Sequence, residues 1–196
     1  KAAAEKAGWG QPLPAGRALG IACCTDVDTK VAQVAEISVE DGRIRVHQVT
    51  AAMDCGLVIN PDGAAAQVQG NVMWGVGSAL LEDISIRDGA VVAANFDGYP
   101  LLSMREAPDV EVILLEAGDG KPRGVGEPAI GPTAAAIGNA LFALTGQRLR
   151  AAPPPDEASQ RQGHGETQQP GRALAQQGRQ QGKETAVKLP LCGVNT

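Results

Sequence analysis

The chain has 196 residues, enough for one domain with a real core, and a formal net charge of −5 at pH 7. That balance gives no electrostatic case for binding nucleic acid or an anionic membrane, and no apolar run approaches the roughly 18–20 residues of a membrane span. The four cysteines, Cys23, Cys24, Cys55 and Cys192, contain no C-x-x-C pair, so neither an iron–sulfur cluster nor a structural zinc is expected on this chain.

In chain order, Lys1-Ala2-Ala3-Ala4-Glu5-Lys6 reads like the middle of a helix, and the chain does not begin with Met. Both suggest a break within a longer protein. Strand character follows at Arg17–Ala22 and at Val31–Val39, where Val31, Ala35, Ile37 and Val39 fall on one side. Glu40-Asp41-Gly42-Arg43 turns into a third strand, Ile44–Val49, making a hairpin. His47 in that strand is expected on the solvent face.

Asn60-Pro61-Asp62 is a helix start, with a capping side chain and a proline where its missing N–H costs nothing. Ala65, Val68, Val72, Val76 and Ala79 then recur at helical spacing, predicting a helix over 62–80. Gly70, Gly75 and Gly77 are poor helix formers, so they either weaken it or mark a close neighbour. A second hairpin turns at Arg87-Asp88-Gly89, and Val110–Leu115 is a further strand. The last element is a helix whose stripe is Ile130, Ala134, Ile137, Leu141 and Leu144, closed by Gly146. The class is therefore α+β, mainly antiparallel strands with two helices. Trp9 and Trp74 read as packing residues, and the cysteines as small buried hydrophobes.

Composition changes at Ala151-Ala152-Pro153-Pro154-Pro155. Residues 1–150 read as the folded part. Residues 151–196, rich in Gln, Gly, Arg and Glu, read as a disordered low-complexity tail, non-native or otherwise.

Chemistry could sit in two places. Lys121-Pro122-Arg123-Gly124-Val125-Gly126-Glu127-Pro128 places two glycines and a carboxylate just before a helix start. Such glycines allow positive φ or close approach to a ligand, and the helix N-terminus favours an ionised Glu. From spacing alone, Glu127 could equally be a solvated or capping residue of a Gly-rich turn. The second place is Asp54–Pro61 followed by Gln67-Val68-Gln69-Gly70. Gln67 lies off the apolar stripe, facing either a cofactor or plain solvent. Gly118-Asp119-Gly120 offers a turn and too few oxygens for calcium.

These stretches, in this order, resemble the molybdenum-binding (large) subunit of the xanthine oxidase family. Asp54, Gly56, Asn60 and Pro61 meet its D-x-G-x-x-x-N-P pattern, and Gln67 falls at the spacing of the following G-Q-V-E-G-like stretch. Gly124, Gly126, Glu127 and Pro128 meet G-x-G-E-P in full, and Thr145–Arg150 is similar to the family's C-terminal end. Gly8-Trp9-Gly10, Val31–Glu36 and Asp97–Leu102 resemble the isoquinoline 1-oxidoreductase β-subunits and their aldehyde-oxidising relatives.

The resemblance covers residues 1–150 and implies the C-terminal part of a molybdopterin-binding domain. It implies Glu127 as catalytic base, with Gly124, Val125, Gly126 and Gln67 bordering molybdenum–molybdopterin, the cytosine dinucleotide form in bacterial members. No protein side chain is implied as a metal ligand. It further implies the N-terminal part of the same subunit and a small 2Fe–2S subunit as partners. The small-molecule substrate would be an aldehyde or an N-heterocycle, oxidised with water-derived oxygen. Related complexes occur in the cytoplasm and in the periplasm, and both stay open. Departures from the family pattern are Gln69 for its Glu and Asn71 for a Gly. The alternative expectation is a truncated, non-catalytic remnant able only to fold or bind a partner.

Overall fold

The computed structural model describes residues 1–116 and 119–150. The tail expected to be disordered, Cys192 within it, and the first glycine of the Gly118-Asp119-Gly120 turn lie outside the described residues.

Three long strands follow one another: β1 (Arg17–Asp26), β2 (Thr29–Glu40) and β3 (Arg43–Asp54). Each connection is a two-residue turn, because Asp26 pairs with Thr29 and Glu40 with Arg43. Val27 and Asp28 have φ 46° and 60°, and Asp41 and Gly42 have φ 50° and 78°. Paired positive φ values match the twist of an antiparallel ribbon, and Asp-Gly takes them at little cost. The predicted hairpin is therefore present, with strands reaching further than their apolar alternation signalled.

Helix α2 (Pro61–Leu80) follows. The side-chain oxygen of Asn60 accepts from the amide of Gly63 at 3.0 Å, and Pro61 opens the first turn. After α2 comes a short ribbon, β4 (Ile86–Arg87) and β5 (Ala90–Val91), turned through Asp88 and Gly89. Strand β6 (Asp109–Leu115) then joins the sheet beside β3, giving the order β1-β2-β3-β6. The expectation of mainly antiparallel strands holds for β1 to β3 and the ribbon. Strand β6 runs parallel to β3 and is the minority partner in this mainly antiparallel set. A chain returning to a sheet through a crossover helix re-enters in the same direction. The chain ends in α3 (Gly131–Thr145), capped by Gly146 at φ 73°.

Helices α2 and α3 cover one face of the sheet. Val31, Ile37, Val49 and Met53 meet Val68, Val72, Val76, Ala136 and Ile137 there. Each fully buried valine contributes about 1.5–3 kcal/mol. The opposite face carries a third helix, α1 (Ala2–Lys6), with Ala3 packed on Val34 and Ala52. The expected count of two helices thus omits this short one.

On α2 the first core residue is Ala64, not Ala65. On α3, Ile137 and Leu141 are buried as expected, but Thr133, Ala136 and Ala140 lie deeper than Ile130, Ala134 or Leu144. Small residues line that face because the α3 backbone at Ala136 and Ala140 lies directly on Gly20 of β1, leaving no room for a Cβ.

Trp9 and Trp74, expected to pack, are 46% and 63% exposed. Trp74 lies across α2 from Val72 and Val76, so it borders an open groove with Met73, Tyr99 and Met104. His47, expected on the solvent face, is half-buried. It is the extra residue where pairing to β2 shifts between Glu36 and Ile37, and its Nε2 lies 2.8 Å from Ser38 Oγ. Of the cysteines, Cys55 is buried, Cys24 half-buried and Cys23 exposed.

Candidate functional site

The two stretches singled out in the sequence meet in space. At the end of β3, Gly56 takes φ +72°, and its amide bonds the Asp54 carboxylate at 3.1 Å. This tight turn lies against the segment before Gly124. Leu57 N–H donates to the Lys121 carbonyl at 3.2 Å, Arg123 N–H donates to the Cys55 carbonyl at 2.9 Å, and Gly56 bridges to Pro122. A Cβ on Gly56 would overlap the Lys121 carbonyl oxygen. Burial pushes the Cys55 thiol up from its ordinary range. Beyond the bridge, the Lys121 amide and then the Arg123 guanidinium hold the Asp119 carboxyl below the usual carboxylate range.

The Gly124–Ala129 loop is fastened to the sheet by side chains. Thr29 Oγ1 donates to the Gly124 carbonyl at 2.7 Å. Cys24 Sγ donates to the Pro128 carbonyl at 3.1 Å, and Gln33 Nε2 to the Ala129 carbonyl at 2.6 Å. Thr133 Oγ1 lies 2.9 Å from Gln33 Oε1, and Ile130 N–H closes a turn on the Glu127 carbonyl at 2.9 Å. Carbonyls on both sides of Glu127 are therefore held while its own side chain is exposed.

Among the described residues Glu127 makes no side-chain hydrogen bond, and it is not a cap, since the N-cap of α3 is Ile130. The positive φ considered for Gly124 and Gly126 is not adopted. A Cβ on either would meet open space, so their exposed backbone is what they offer a ligand. Val125, between them, turns inward onto the core.

Gln67 sits in the second turn of α2 with its side chain exposed, and the outward face of Gly70 is open. No hydrogen bond joins Gln67 to the Glu127 loop among the described residues. Asn71, where the family pattern has Gly, is buried. Its Nδ2 donates to the Gln67 carbonyl at 2.6 Å while Oδ1 is left without a partner. Gly75 and Thr133 account for one suspected close neighbour, because a Cβ on Gly75 would stand 2.7 Å from the Thr133 side chain.

The anchors Thr29, Gln33 and Thr133 escaped the sequence reading. One signal existed for Gln33: its odd number places it on the β2 face of Val31 and Ala35. Its partners, Ala129 and Thr133, gave no local sign.

The family model for the molybdopterin cofactor-binding domain matches residues 26–108. A membrane-bound aldehyde dehydrogenase (pyrroloquinoline-quinone) of Gluconacetobacter polyoxogenes is 35% identical over 157 residues, 76% of this chain and 20% of that protein. The isoquinoline 1-oxidoreductase subunit beta of Brevundimonas diminuta is 35% identical over 140 residues, 70% of this chain and 18% of that protein. Among solved structures, quinoline 2-oxidoreductase from Pseudomonas putida 86 superposes with TM-score 0.56 and 27% identity, over 64% of this chain and 17% of that one. The chain thus spans a fifth or less of the proteins it resembles.

Proposed function

The chain belongs to the molybdenum-binding large subunits of the xanthine oxidase family, and on that premise we propose that it forms the carboxy-terminal part of the cofactor-binding domain of a molybdenum hydroxylase. The observation that carries this is the Gly56–Pro122 bridge, which joins the first motif loop to the one that carries the anchored, exposed Glu127.

The residues fit the cofactor. Gly124 and Gly126 leave an open backbone, and Gln67 offers a free amide beside the open face of Gly70. Among the described residues no group of three His, Cys, Asp or Glu side chains could hold a metal ion. The cofactor proposed is molybdenum–molybdopterin, from the matching molybdopterin cofactor-binding family, in the cytosine dinucleotide form that the resemblance implies. When bound, the cofactor supplies a metal that takes up the substrate's electron pair.

The chain's part is then limited and definite. Glu127 acts as general base, taking a proton on its carboxylate as oxygen derived from water is delivered to an electrophilic carbon. The backbone of Gly124, Val125 and Gly126 and the Gln67 side-chain amide would hold the cofactor. Substrates are aldehydes or N-heterocycles, in keeping with the printed names of the relatives. Electrons leave through a small 2Fe–2S subunit.

Metal content and intact mass, measured on the protein isolated from its native source with whatever co-purifies, test the proposal. Molybdenum near one per chain, with iron on a small partner, is expected. A quinone, or no molybdenum, would overturn it.

A further inference from the structure

Gln33 is fully buried in β2, yet it carries an amide. An unbonded amide in such a place costs about 1–3 kcal/mol, so its partners must be supplied by the fold. They are the Ala129 carbonyl, 2.6 Å from Nε2, and the Thr133 hydroxyl, 2.9 Å from Oε1. Thr133 is also fully buried, 3.1 Å from the same Ala129 carbonyl and pressed against Gly75 of α2. The Ala129 carbonyl thus accepts from Gln33 of β2, and the one proton of the Thr133 hydroxyl lies between Gln33 Oε1 and that carbonyl. Ala129 lies two residues after Glu127, and the next amide, Ile130, closes the turn on the Glu127 carbonyl.

We propose that Gln33 and Thr133 are positioning residues that fix the place of Glu127 through the carbonyl two residues after it. This rests on the reading of Glu127 as the base. Both side chains are sealed from solvent, so neither can touch a substrate directly; any effect on Glu127 passes through the Ala129 carbonyl and the packing of α3. A displacement of about 1 Å in a reacting group can cost roughly a hundredfold in rate.

The test uses the complete large subunit with its cofactor and partner. Thr133→Val keeps the shape and removes the hydroxyl, and Thr133→Ser restores it. Gln33→Met is a second variant of similar volume, informative if Thr133→Val fails to accumulate. In T133V or Q33M, kcat per bound molybdenum should fall about 10- to 100-fold. KM should change little, and the acid limb of the kcat/KM profile should move. T133S should return both to near the parent. In the cofactor-free subunit, amide exchange at Ala129 and Ile130 should quicken in T133V and not in T133S.

Loss of thermal stability with kcat per molybdenum and the pH profile unchanged would overturn the proposal and leave the pair a packing feature. Glu127→Gln is the control: if that variant still turns over, the reading of Glu127 fails, whatever the pair does.

Discussion

Gly56 and Lys121 meet where no side chain fits, since a Cβ on Gly56 would overlap the Lys121 carbonyl oxygen. The same contact carries the bridge between the two motif loops. Because Gly56 also has φ +72°, Gly56→Ala combines left-handed strain with a backbone clash. It should cost about 3 kcal/mol or more. Urea unfolding should show the loss. A variant as stable as the parent would mean that the loops are not held together in this way.

Gly126→Ala should behave differently. Its Cβ would enter open space from an ordinary backbone conformation. Stability should change by less than about 0.5 kcal/mol. In the complete subunit, however, molybdenum cofactor content should drop. Normal loading would remove Gly126 from the cofactor's border.

The tip of the β1–β2 hairpin carries a β-branched residue, Val27, at φ 46°, 73% exposed. A left-handed conformation costs such a residue about 1–2 kcal/mol and Asn much less. Val27→Asn should therefore raise stability by about 1 kcal/mol. An unchanged or lower urea midpoint would contradict the turn geometry.

His47 should make folding pH-dependent. Burial, and then the Arg17 charge, hold its pKa below the ordinary 6.5, against a smaller upward pull from Glu40 and Glu36. The unfolded chain thus takes up the proton first as pH falls. Stability present above 6.5 is lost below it, until the folded protein protonates as well. Between about pH 7.5 and 5.5 the parent should lose more stability than His47→Gln. Parallel pH profiles would place His47 in an ordinary solvent environment.

What the sequence disclosed was local. The Asn60 cap, the Asp41-Gly42 turn and the Gly146 helix end each depend on residues within a few positions of one another, and all three are present. What it hid depends on distant partners. Gln33 and Thr133 are 100 residues apart, and nothing near Gly20 announces that α3 will lie on it. The parallel placement of β6 was hidden for the same reason, because direction is set by the crossover and not by the strand's own residues. Trp74 misled through its type: a large aromatic suggests a core, but helical spacing puts it opposite Val72 and Val76. Spacing alone left Glu127 and Gln67 between a surface and a functional role, and it is the family resemblance that favours the functional one. The fold adds that the Glu127 loop is anchored on both sides while its carboxylate stands free.

The central claim is that this carboxylate is the base of a molybdenum hydroxylase. Turnover of Glu127→Gln in the complete enzyme, normalised to bound molybdenum, tests it most directly. Turnover should fall by about 10²–10⁴-fold or more with molybdenum still bound. Near-parental turnover at full molybdenum content would contradict it.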